Sequence, residues 1–110
     1  TNLAPLSGAR NLQELRLGEN QIDNLESLAG LKALEVLSLE RNEITDISAL
    51  AGLGRLKRLY LSRNQIRDVS ALSGLKNLYE LELHGNPISQ AEVDALRQAL
   101  PNCRVEFSAN

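Results

Sequence analysis

The chain has 110 residues, with 12 Lys and Arg against 14 Asp and Glu for a formal charge of −2, which gives no reason to expect nucleic acid or an anionic membrane as partner. No apolar run approaches the ~18 residues of a membrane span, and no charged n-region precedes an apolar h-region at the start, although a removed signal would leave the same picture. With one Cys no disulfide can form within the chain, and one Cys with one His cannot make a Cys/His zinc site.

Residues 1–10 contain Asn2, Leu3, Leu6, Gly8 and Ala9, and the same spacing returns 22 residues later at Asn24, Leu25, Leu28, Gly30 and Leu31. The chain therefore opens in the middle of a repeat. Residues 11–32 hold the first full unit, and 33–54, 55–76 and 77–88 follow in the same frame. Leu12, Leu34, Leu56 and Leu78 form one column; Leu15, Leu37, Leu59 and Leu81 the next; Leu17, Leu39, Leu61 and Leu83 a third. Asn20, Asn42, Asn64 and Asn86 follow, then Ile22, Ile44, Ile66 and Ile88. In L-x-x-L-x-L the last two leucines have the period of a strand, so Leu59 and Leu61 point one way while Arg58 and Tyr60 point the other. No repeat can bury its leucines alone. Stacking is what turns the columns into one core.

The other columns are read as structural. An amide carries donors and an acceptor, so Asn20, Asn42, Asn64 and Asn86 should satisfy backbone groups of their own and the adjacent repeat where each strand ends. Asn24, Asp46 and Asp68 are expected to do turn work on the outer side, and Gly30, Gly52 and Gly74 to suit a tight bend.

After Ile88 the period breaks. Ser89 and Glu92 make a capping-box pattern, Val93, Leu96 and Leu100 share one helical face, and Pro101 closes the helix, so residues 89–110 are expected to cap the array. Counting 22 from Leu81 and Leu83 places Cys103 and Val105 in core columns, with NCRVEF as a final strand and Cys103 as a small buried hydrophobe.

This framework resembles the leucine-rich repeat family over nearly the whole chain, and the wording ITDISALAGL and IRDVSALSGL is closest to the short 22-residue class that includes bacterial internalins and a protein phosphatase regulatory subunit. The resemblance implies a single domain of α/β repeat class. That is a leucine-rich repeat solenoid with a short parallel β-sheet on the concave face, an irregular convex side, and a C-terminal capping helix plus final strand. It also implies a protein partner bound on the concave side.

No phosphate loop, dinucleotide glycine pattern or G-x-S-x-G occurs. His84 two residues from Glu82 resembles an acid/base pair, but on an open strand face it is read as a surface His, so no catalytic residue, metal or cofactor is expected. What remains is the concave grid. Its rows are Glu14, Val36, Arg58 and Glu80; Arg16, Ser38, Tyr60 and Glu82; Gly18, Glu40, Ser62 and His84; with Glu19, Arg41, Arg63 and Gly85 at the edge. Tyr and Arg dominate binding hot spots, so the expected site is Arg58, Tyr60, Arg63, Glu82 and His84, with Val36, Ser38, Glu40 and Arg41 as its near rim. The alternative is self-association, for instance as a homodimer, through the first repeat, whose strand the partial repeat leaves uncapped, or else a piece of a longer array.

Overall fold

The computed structural model describes residues 11–108, so the partial repeat 1–10 lies outside the described residues. Five three-residue strands, β1 (Glu14–Arg16), β2 (Val36–Ser38), β3 (Arg58–Tyr60), β4 (Glu80–Glu82) and β5 (Arg104–Glu106), form one parallel sheet in chain order. The registers of the first four are spaced by 22: Glu14 pairs Val36, Val36 pairs Arg58 and Arg58 pairs Glu80. Parallel neighbours need a crossover, and here each crossover is the outer half of one repeat.

The leucine columns face that crossover. Leu37, Leu39, Leu59, Leu61, Leu81 and Leu83 have no exposed surface, and neither do Ile22, Ile44 and Ile66. At the N-terminal end of the described array Leu12, Leu15 and Leu17 are only partly buried. The convex side, expected to be irregular, is built from single 3₁₀ turns at Glu26–Leu28, Ser48–Gly52 and Ser70–Leu72. Each opens on an Asx turn: Asn24, Asp46 and Asp68 accept from the backbone N–H of Glu26, Ser48 and Ser70 at 2.8, 2.9 and 2.9 Å. The backbone bonds from Ser48 and Ser70 hold the Asp46 and Asp68 carboxyls below the usual carboxylate range.

The asparagine column closes the ladder where the strands end. Asn64 accepts from Ile44 N–H at 3.1 Å and donates to Leu39 O and Leu61 O, both at 3.0 Å, so one buried amide serves two repeats. Asn42 does the same for Ile22, Leu17 and Leu39, and Asn86 for Ile66, Leu61 and Leu83. Asn20 is exposed and donates to Leu17 O at 2.8 Å.

The helix α1 (Gln90–Ala99) starts where Ser89 Oγ accepts from Glu92 N–H at 3.2 Å, and it buries Val93 and Leu96, with Leu100 just past its end. Lys76 Nζ donates to Ala99 O at 3.0 Å at its C-terminus, a cation at the negative end of the helix dipole. Arg97 reaches Val105 O at 3.0 Å and ties the helix to β5.

Two sequence expectations are corrected. β5 pairs with β4 at Leu81–Val105 and Glu80–Arg104, a step of 24 rather than 22. A helix of ten residues takes more chain than a 3₁₀ turn, and the extra two residues move Cys103 out of the core column. Cys103 is half-buried before the strand, and burial pushes its thiol up. Gly30, Gly52 and Gly74 do not have positive φ, and a Cβ built at Gly30 or Gly74 meets no atom within 4 Å. No tight bend requires them.

Candidate functional site

The face opposite the leucines is where the repeats differ, and its rows follow the strand registers. The first row runs Glu14, Val36, Arg58, Glu80 and Arg104, the second Arg16, Ser38, Tyr60, Glu82 and Glu106. Parallel strands lie about 4.8 Å apart, so row neighbours touch.

At the centre, Tyr60 Oη donates to Glu80 Oε1 at 2.6 Å, and that bond together with burial pushes the phenol up to about 12. Arg58 lies 3.9 Å from Glu80, but its shorter contact is the Nε–H donated to Tyr79 Oη at 2.7 Å, with its guanidinium carbon 5.3 Å from the Tyr79 ring centre. Tyr79 is 46 % exposed, the one exposed large hydrophobic among the described residues. The concave grid did not include it, because it precedes the strand. The available signal was its column, where Gln13, Glu35 and Lys57 are all hydrophilic and only this repeat has an aromatic.

Towards the C-terminal side the face turns acidic. Carboxylate oxygens of Glu80, Glu82 and Glu106 lie within 4.8 Å of one another. Glu82 is pushed up, first by burial and then by Glu106 and Glu80. Its neighbour His84 places Nδ1 3.2 Å from Ser108 Oγ rather than on the Glu82 carboxylate. Glu106 also faces Arg104 at 3.7 Å along its own strand.

The near rim is rearranged by two short residues. Ser38 is only 4 % exposed, and its hydroxyl donates to the Glu40 carboxylate at 2.5 and 2.7 Å. Its part is to hold Glu40, which leans over Gly18 into the space a Cβ would take. Val36 is partly exposed beside Arg58.

The edge row has an unusual backbone. Glu19, Arg41 and Arg63 have φ of 61°, 61° and 62°, and Gly85 in the next repeat has 71°. The left-handed region costs an L-residue about 1–2 kcal/mol, yet each side chain is kept. Their N–H groups continue the ladder: Glu19 to Glu40 O at 2.8 Å, Arg41 to Ser62 O at 2.9 Å and Arg63 to His84 O at 2.7 Å.

The structure thus brings Arg58, Tyr60 and Glu82 into adjoining rows, sets Arg63 and Arg41 along one edge and His84 between them and the acidic group, and takes Ser38 out of reach. Among the described residues no helix is long and apolar enough to cross a membrane.

The family profile described as Leucine Rich repeats (2 copies) matches residues 10–52 and 55–98. No curated protein sequence is found similar to the chain. Among solved structures, internalin C2 of Listeria monocytogenes is 39 % identical with a TM-score of 0.92, over 98 % of this chain and 47 % of that one. A leucine-rich repeat protein of Leptospira interrogans is 37 % identical with a TM-score of 0.89, over 97 % of this chain and 28 % of that one. The ectodomain of the receptor kinase SOBIR1 from Arabidopsis thaliana is 29 % identical with a TM-score of 0.74, over 96 % and 61 %. The chain therefore spans less than half the length of the two bacterial proteins. Profile, register and asparagine ladder agree, and the chain belongs to the leucine-rich repeat family, in an internalin-like form.

Proposed function

We propose that this chain is a non-catalytic protein-interaction module whose protein partner sits on the concave strand face. The reading is carried by one observation: the centre of the sheet presents two hydrogen-bonded pairs, Arg58–Tyr79 and Tyr60–Glu80, joined through the 3.9 Å Arg58–Glu80 contact, with the Tyr79 ring open to solvent. Such aromatic and arginine groups supply most of the energy in protein interfaces. Leucine-rich repeats generally mediate protein–protein interaction, which supports the class of partner but not its identity. The contact set is Arg58, Tyr60, Arg63, Glu82 and His84, extended by Tyr79, with Val36, Glu40 and Arg41 as the rim and Ser38 as the support of Glu40.

The test is to capture partners on the immobilised chain, identify them, and measure affinity by calorimetry. Tyr60→Ala combined with Arg58→Glu should weaken binding by about 2 kcal/mol or more, while Glu26→Ala on the convex side should leave it unchanged. Unchanged binding in the concave variant would show the site to be elsewhere.

A second reading is self-association through the first repeat, favoured by the partly exposed Leu12, Leu15 and Leu17 where the next repeat's Leu34, Leu37 and Leu39 are fully covered. It predicts a molar mass that rises with concentration in light scattering and falls back when a charge is placed at Gln13. A constant monomer mass excludes it.

A further inference from the structure

The edge row carries two burdens that the fold does not require. Arg41 and Arg63 leave adjacent strands side by side, both from left-handed backbone, at a position where the following repeat takes Gly85. Two like charges in neighbouring repeats also repel. Neither guanidinium forms an ion pair among the described residues, whereas the first row and its flank are self-neutralised through Glu14–Arg16, Arg58–Glu80, Glu35–Lys57 and Arg104–Glu106. The carboxylate next to Arg41 in sequence, Glu40, is turned away over Gly18 and held by Ser38. Glu19, in the same row, and the exposed Glu43 make no ion pair with either arginine.

From this charge pattern we infer that the Arg41–Arg63 edge receives the carboxylates of an acidic segment of the protein partner, an inference that rests on the concave-face reading above. A guanidinium presents a planar fork that matches a carboxylate with two parallel hydrogen bonds. Two of them at strand spacing fit two acidic side chains of one extended segment. Glu82 and Glu106, towards the C-terminal side of the second row, repel such a segment from that half of the strand face, which leaves it the edge. A chain of net charge −2 has no general attraction for polyanions, so the selectivity has to come from this local pair.

The experiment titrates the ¹⁵N-labelled full chain at low ionic strength with three end-capped peptides: hexaglutamate, hexaglutamine and hexalysine. Hexaglutamate is expected to shift the Arg41 and Arg63 Nε–Hε signals and to bind about tenfold tighter than hexaglutamine. Arg41→Asn with Arg63→Asn should weaken it about tenfold, while Arg55→Asn with Arg67→Asn, the same loss of charge away from the edge, should change it less than about threefold. Asn accepts left-handed backbone, so the edge variant keeps its fold, and its amide spectrum checks that directly. Equal weakening by both pairs, or equal binding of hexaglutamate and hexaglutamine, overturns the inference. Hexalysine binding over Glu80, Glu82 and Glu106 with hexaglutamate silent also overturns it but leaves the concave site standing with a basic partner. Shifts confined to the convex side overturn both.

Discussion

Leu59 and Arg58 are neighbours on one strand, yet Leu59 has no exposed surface and its column is Leu in the first four strands and Val in the fifth, whereas Arg58 is exposed in a row that reads Glu14, Val36, Glu80 and Arg104. The same contrast runs through the whole array. Leucines, isoleucines and asparagines on one side are repeated because each must fit the copy before and after it, and a stack of identical units tolerates one shape. Residues on the other side touch only solvent and each other, so they are under no such constraint. Some of them even work against stability: two arginines stand on left-handed backbone and three carboxylates crowd together. One side of each strand is the fold, and the other carries costs that the packing of the core does not require.

The largest expected effect is on the repeated side. Asn64→Leu leaves Ile44 N–H buried without its partner and takes one of two amide donors from Leu39 O and Leu61 O, which keep Asn42 and Asn86, so denaturant unfolding should show a loss of about 1–3 kcal/mol. Asn20→Leu, at the exposed end of the same column, should lose under about 1 kcal/mol. Equal losses would mean that the ladder is not what joins the repeats.

The variable side should respond in the opposite direction. Arg63→Gly removes a side chain from φ of 62°, and the relief of about 1–2 kcal/mol, offset by the greater freedom of Gly in the unfolded chain, should leave the protein as stable or up to about 1 kcal/mol more stable. A clear loss in thermal unfolding would show that the Arg63 stem, which lies 3.2 Å from the position of a Cβ on Gly85, packs as part of the fold.

The smallest effect is at Glu82. Its folded carboxyl is raised, first by burial and then by Glu106 and Glu80, so protonation favours the folded state. The contribution is fully present below the unfolded carboxyl's range and is lost as pH rises through the raised folded value. Glu82→Gln should therefore raise Tm slightly at neutral pH, and the gain should vanish near pH ~3 where both states are protonated. An unchanged difference across that range would mean that the Glu82 charge is not what costs stability.

Much of this was legible in the residues. Periodicity gave the strands, the parallel stacking and the role of Asn64, because each is forced by packing that recurs at every repeat, and the helix after Ser89 was legible from its capping box and its apolar face. What could not be read depends on side-chain length and on single exceptions. Alternation places Ser38 on the concave face, but a hydroxyl is too short to reach past the Glu40 carboxylate it holds. Counting by 22 puts Cys103 in the core, but the repeat that carries the helix runs 24 residues from strand to strand. Tyr79 lies outside the strand, so no alternation rule places it, and only the folded chain brings it to Arg58.

The division between the two faces is tested most directly by equilibrium denaturation of Leu59→Ala and Arg58→Ala, two adjacent residues of β3. The account predicts a loss of about 2–5 kcal/mol for Leu59→Ala and under about 1 kcal/mol for Arg58→Ala, whose contacts to Tyr79 and Glu80 are on the surface. Comparable losses in the two variants would contradict it, because the concave face would then be part of what holds the array together.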